Sequence, residues 1–116
     1  MIPFLDVRGI NRRHSADFHK LLDEILEAGW LILGEQVTHF ESDFAKYCGT
    51  KHCVGVGNGL DALRLVLEAW GIGAGDEVIV PSNTYIATWL AVSQVGAVPI
   101  PVEPDLYPYN INPDAI

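Results

Sequence analysis

Between residues 55 and 89 the hydrophobic period of the chain changes repeatedly, and glycine marks the first changes. Residues 52–56 form a short apolar run that predicts a buried strand. Gly57-Asn58-Gly59 interrupts it, and residues 59–70 then place apolar side chains at helical spacing. Gly71-Ile72-Gly73 closes that helix, and Val78-Ile79-Val80 predicts a second strand. A loop beginning Pro81-Ser82 delivers another helical segment, which carries Tyr85 and Trp89 and runs to about Val95, where Gly96 stops it. Val98–Val102 predicts a third strand, near an edge or end of the pairing because Pro99 and Pro101 interrupt it. The order predicts an α/β fold: a βαβαβ unit preceded by two helices, with a parallel sheet and right-handed crossovers. In such folds ligands bind where strands end and helices begin.

The glycine turn carries the first chemical signal. Gly57 and Gly59 let the backbone bend and approach a ligand closely. Asn58 is a good N-cap for the helix that follows. The N–H groups of Gly59, Leu60 and Asp61 would then be free to face an anion, which the helix dipole also favours. An ordinary glycine connection, with Asp61 itself supplying the negative charge, explains the same residues. Gly57, Gly59 and Ala62 also fit G-x-G-x-x-A, a dinucleotide fingerprint. That fold needs an acid at the end of the next strand to hold the ribose. Asp76 and Glu77 lie at its start, and its end reads Pro81-Ser82. A smaller phosphate-bearing cofactor therefore ranks ahead of a nucleotide or dinucleotide, and a non-catalytic remnant is a third reading.

The remaining segments frame this unit. Residues 1–14 predict an extended, proline-containing arm with Arg12-Arg13-His14 at its end. Ser15 is placed to cap a helix running to about Ala28, with Phe18, Leu21, Leu22, Ile25 and Leu26 on one stripe and Gly29 as its stop. Residues 30–34 form an apolar connection in which ordinary packing accounts for Trp30. A second helix over residues 35–47 puts Val37, Phe40, Phe44 and Tyr47 on one side and ends at Gly49. In the helix over 59–70, Asp61, Arg64 and Glu68 make a narrow polar stripe, with Arg64 able to pair with both acids. Leu60, Leu63, Val66, Leu67 and Trp70 face the other way, as expected of a helix covering a sheet. The chain thus divides into residues 1–34, an arm and first helix, and residues 35–116, the second helix and the α/β unit. Asn112-Pro113-Asp114 begins a helix in the last residues, so a longer protein is expected.

Charge and composition narrow the function classes. A net charge of −8 over 116 residues argues against a general nucleic-acid or anionic-membrane surface. Cys48 and Cys53 lack paired histidines nearby, and the four histidines show no metal spacing. Ser82 has no G-x-S-x-G elbow, so a serine nucleophile is not argued. Residues 1–13 carry no apolar signal core, and no run approaches membrane length, which predicts a soluble cytoplasmic protein.

Read together, G-N-G-L-D-A-L, G-D-E-V-I-V-P-S and T-Y-I-A-T, preceded by IPFLDVRGIN and ILGEQVTHFESDFAKYCGTKHCVGVGNG, resemble the DegT/DnrJ/EryC1/StrS sugar aminotransferases. These are pyridoxal-phosphate enzymes of aminotransferase fold type I, and the resemblance covers about the first third of a typical member. It implies the N-terminal part of that fold's large domain, with pyridoxal 5'-phosphate as cofactor. It further implies that backbone amides of Gly59 and Leu60 hold the cofactor phosphate, and that Tyr85 stacks on the pyridine ring. The substrates implied are a nucleotide-linked keto sugar and an amino-acid donor, often glutamate, in a homodimer to which residues 1–14 contribute. The lysine that forms the Schiff base and the aspartate that pairs with the pyridine nitrogen lie beyond Ile116 in family members.

These 116 residues alone are therefore expected not to catalyse transamination. The only lysines are Lys20, Lys46 and Lys51. The first two precede the expected sheet, and Lys51 sits at the strand end opposite the glycine turn, roughly 17–20 Å away for a strand of five or six residues. Borohydride reduction with pyridoxal phosphate should give no single specific adduct. One modified lysine together with measurable amino transfer would overturn this expectation.

Overall fold

The computed structural model describes residues 4–116. The chain forms two compact units, Met1–Gly55 and Val56–Ile116. The first is helical. The expected arm contains a short helix, α1 (Val7–Arg12), whose N-cap Asp6 accepts the Gly9 N–H at 2.9 Å. This corrects the extended reading of residues 1–14: one aspartate placed three residues ahead of an amide is enough to start a turn. The proline-containing start, residues 1–3, lies outside the described residues.

Helix α2 (Ser15–Ala28) follows at once, with His14 and not Ser15 at the N-cap. The His14 N–H already donates to Asn11 C=O, and His14 C=O accepts from Phe18. Ser15 is thus inside the helix, where its hydroxyl faces His19 Nδ1 at 3.4 Å and cannot act as a cap. Gly29 closes α2, and Gly49 closes α3 (Glu35–Cys48), as their positions predict. Trp30 is 69% exposed, so it does not pack as expected; its Nε1–H donates to Ile32 C=O at 2.7 Å. On α3, Phe40, Phe44 and Tyr47 form an exposed ladder with ring centroids 5.5 and 6.1 Å apart. The boundary expected after Gly34 falls inside this unit.

Residues 52–56, expected as the first strand, adopt no strand. A strand exists only where its backbone finds a neighbour, and here the Gly55 N–H donates instead to the Glu41 carboxylate at 2.7 Å. The predicted βαβαβ unit is therefore represented by its last four elements.

The second unit holds α4 (Gly59–Ala69), β1 (Glu77–Pro81), α5 (Ile86–Gln94) and β2 (Val98–Val102). The strands pair in parallel, Glu77 opposite Val98 through to Pro81 opposite Val102. Val98 N–H donates to Asp76 C=O at 2.9 Å on the β1 side. Successive N–H groups alternate between edges of a strand, so Pro99 and Pro101 lack theirs on the side away from β1. That is why two prolines are tolerated in five residues. After β2, Pro104 pairs with Ile111 in an antiparallel bridge, and Asn112 caps the single turn Pro113–Ala115 by accepting the Asp114 N–H at 2.8 Å.

The core of this unit is small: Val80, Val92 and Ala97, with Leu67, Ile72, Val78, Trp89 and Val95 packed against them. Of the apolar side assigned to α4, Leu67 reaches this core, while Leu63, Val66 and Trp70 remain exposed. Two strands cannot cover a whole helix. Arg64 pairs with Glu68 alone, and the Asp61 carboxylate accepts from Asn58 Nδ2 instead.

Gly71 ends α4 in a left-handed conformation, φ 74°, which lets Ile72 N–H turn back to Leu67 C=O and admits Ile72 to the core. Gly71→Ala should lower stability by roughly 1–2 kcal/mol from backbone strain alone, since a Cβ there meets no neighbour. An unchanged melting temperature would show that this turn relaxes freely.

Candidate cofactor site

An open groove of about 700 Å³ is lined by the N-terminal ends of both helices of the second unit. Asn58, Gly59 and Leu60 come from the start of α4, and Tyr85 to Thr88 from the start of α5, with Leu63 and Leu90 as apolar walls. The helices meet because Leu67 on α4 and Trp89 on α5 pack on the same core. Trp89 turns inward, one helical turn after Tyr85. Tyr85 is the N-cap of α5, with extended backbone, and the residue is 78% exposed, so the fold makes little use of its aromatic surface.

The α4 end differs in one respect from its expected form. Asn58 Oδ1 accepts the Asp61 N–H at 2.9 Å, while Asn58 Nδ2 donates to Asp61 Oδ2 at 3.0 Å. Asp61 N–H is thereby consumed by the cap, and Ala62 N–H makes the first helical bond, to Asn58 C=O at 3.2 Å. Gly59 and Leu60 keep N–H groups with no partner among the described residues. Two donors therefore remain, not three.

The glycines do not serve the backbone in the way expected. Neither Gly57 nor Gly59 has a positive φ, and a Cβ built on Gly59 meets nothing within 4 Å. The fold tolerates a side chain at Gly59. A side chain there would stand in open space beside the two free N–H groups.

Residues 56–116 contain Arg64 as their one basic side chain, and it is spent on Glu68. What residues 56–116 themselves offer an anion in the groove is N–H groups and the helix dipole. A ligand with one compact anionic group and a flat ring matches these parts. The hydroxyls of Thr84 and Thr88, 3.0 Å apart, complete the polar groups at the α5 end. Sequence reading assigned them no role. Their i, i+4 spacing at a helix start was the available signal. A second cavity, about 370 Å³ in the helical unit, is lined by Trp30, Ile25 and Val37 beside the start of α3, where the Glu35 and Gln36 N–H groups also lack partners among the described residues but Glu24 and Glu35 add carboxylates to the lining.

The second unit is thus a parallel α/β unit with two helix N-termini on one groove. Comparison with known proteins makes this specific: residues 12–116 match the DegT/DnrJ/EryC1/StrS aminotransferase family, and the chain belongs to it. It is 58% identical over 113 residues to the dTDP-3-amino-3,6-dideoxy-alpha-D-galactopyranose transaminase of Aneurinibacillus thermoaerophilus, covering 97% of this chain and 31% of that protein. Among solved structures it resembles S. venezuelae DesV in complex with a ketimine intermediate. The TM-score is 0.92 at 47% identity, over 98% of this chain and 31% of that one. It also resembles NtdA from Bacillus subtilis with bound cofactor PMP, at TM-score 0.88 and 35% identity, over 99% of this chain and 27% of that one. The chain thus spans less than a third of the length of these relatives. Over the part matched, its fold is that of the pyridoxal-phosphate-dependent aminotransferases.

The reciprocal cap yields a test independent of any ligand. Asn58→Ala should destabilise the second unit by about 1 kcal/mol through loss of the cap. Aspartate caps helices as well as asparagine in general, but Asn58→Asp would set a carboxylate against Asp61 where an amide now donates. It should therefore also melt lower than the parent at neutral pH, with part of the loss recovered in 0.5 M salt. If Asn58→Asp melts like the parent, the Asn58–Asp61 pairing contributes nothing.

Proposed function

We propose that this chain supplies the phosphate- and ring-holding part of a pyridoxal-phosphate aminotransferase that acts on a nucleotide-linked keto sugar. The observation that carries the reading is the pairing, in one groove, of two unspent amides at Gly59 and Leu60 with the exposed ring of Tyr85. Gly59 and Leu60 donate N–H to the phosphate. Tyr85 covers one face of the pyridine, while Leu63 and Leu90 limit water around it. The bound cofactor supplies an electron sink for breaking and making bonds to the amino-bearing carbon. Orientation of that cofactor is what these residues contribute.

The substrate reading rests on the family and on the sugar transaminase named above, which is 58% identical. An amino acid, glutamate, is the proposed amino donor, and the working protein is proposed to be a cytoplasmic homodimer. No helix among the described residues is long and apolar enough to cross a membrane. Residues 56–116 contain no lysine, so this unit holds the cofactor without the amine that completes the reaction. Residues 1–34 are proposed as the arm and first helix ahead of the cofactor-binding part.

Binding of pyridoxamine 5'-phosphate to the chain, followed by its fluorescence, is the test. This probe has no aldehyde and does not react with Lys20, Lys46 or Lys51. Gly59→Val should abolish binding while leaving the melting temperature close to the parent. Tyr85→Phe should bind nearly normally, and Tyr85→Ala should lose on the order of 1 kcal/mol. Equal losses for Phe and Ala would point to a hydroxyl contact and remove the stacking role. Unchanged affinity in Gly59→Val would place the phosphate elsewhere.

A further inference from the structure

The cap of α4 and its two free amides leave one polar group of the groove unexplained, the Thr84–Thr88 pair. Thr88 lines the groove three residues after Tyr85, on the same side of the first turn of α5. Its Oγ1 lies 3.0 Å from Thr84 Oγ1 in a part-buried position. Each hydroxyl carries one proton and can both donate and accept. One proton is used between the two oxygens. The other has no acceptor among the described residues, since neither hydroxyl makes a further hydrogen bond.

Two ordinary accounts of such a pair fail here. Threonine in a helix often donates to the carbonyl four residues back, and Thr88 does not. A hydroxyl near a helix start often caps by accepting a backbone N–H, and neither threonine accepts one; Tyr85, at the N-cap, makes no side-chain cap bond either. The pair therefore serves neither the helix ladder nor a cap, and the proton not shared between the two oxygens is a donor beside the groove.

We propose that Thr84 donates to Thr88, and that Thr88 donates its own proton to an anionic oxygen, phosphoryl or phenolate, of the phosphorylated pyridine in the groove. Thr88 is then a further cofactor-binding residue, and Thr84 is the positioning residue that orients its hydroxyl. This rests on the cofactor reading above. The opposite walls of the groove divide the work: α4 contributes backbone N–H groups, and α5 a ring and a hydroxyl. A side-chain hydroxyl here also suits a unit whose only cation is already paired.

The test compares Thr88→Val, Thr88→Ser and Thr84→Val in the chain, with pyridoxamine 5'-phosphate and inorganic phosphate as probes and thermal melting as the structural control. Thr88→Val should bind pyridoxamine phosphate roughly tenfold more weakly, the loss of one hydrogen bond to a charged acceptor. Thr88→Ser should bind as the parent does, and Thr84→Val should show a smaller loss, all with near-parental melting. If Thr88→Val also weakens inorganic phosphate, the contact is to the phosphoryl oxygen. If it weakens pyridoxamine phosphate alone, the contact is to the ring oxygen. Full affinity in Thr88→Val, equal losses in Thr88→Val and Thr88→Ser, or a loss that follows the melting temperature would each overturn the proposal. A parent chain that binds neither probe would overturn the cofactor reading, and this inference with it.

Discussion

An α-helix leaves its first amides without carbonyl partners, and how α4 disposes of them decides what the second unit can do. Asn58 satisfies the Asp61 N–H through its side chain and holds the Asp61 carboxylate with its own amide. The acid nearest the site is thereby occupied, close to an end where an anion is otherwise favoured. Gly59 and Leu60 remain open. A cap that also took these two would leave a stable helix and no site.

Packing then sets a second helix end beside the first. Val80, Val92 and Ala97 draw Leu67 and Trp89 onto one core, which brings the start of α4 and the start of α5 to one groove. Trp89 buries against that core while Tyr85, one turn earlier, stays in solvent. The same short helix thus gives one aromatic to the interior and leaves another on the groove. Exposure of so much apolar surface, on α4 as on α2 and α3, accompanies a chain that spans less than a third of its relatives.

Legibility varied with how local the cause was. Gly29, Gly49, Gly71 and Gly96 end their elements where they stand in the sequence, because a helix stop depends on a few neighbouring bonds. The short helix α1 was equally local but went unread, since Asp6 followed by Gly9 and Asn11 looks like a loop until the Asp6–Gly9 bond is seen. The strand expected over residues 52–56 failed for the opposite reason. Its apolar run was plain, but a strand is made by its neighbour, and Glu41 took the Gly55 amide instead. Arg64 had two acids at suitable spacing, and spacing could not tell that it pairs with Glu68 while Asp61 pairs with Asn58.

The sequence by itself determined the order of elements in the second unit, the Asn58 cap, and the lack of any lysine after residue 55. Each depends on residue identity and on contacts within about one helical turn. Three matters were left to the tertiary structure: which of the α4 amides stay unpaired, which aromatic of α5 faces outward, and whether Gly59 is needed by the fold. Chain contacts far apart in sequence settle the second, by placing Trp89 on the Val80 core. The Asn58 cap settles the first, because a backbone N–H has one proton and the fold shows where it is spent, and the open space around Gly59 settles the third.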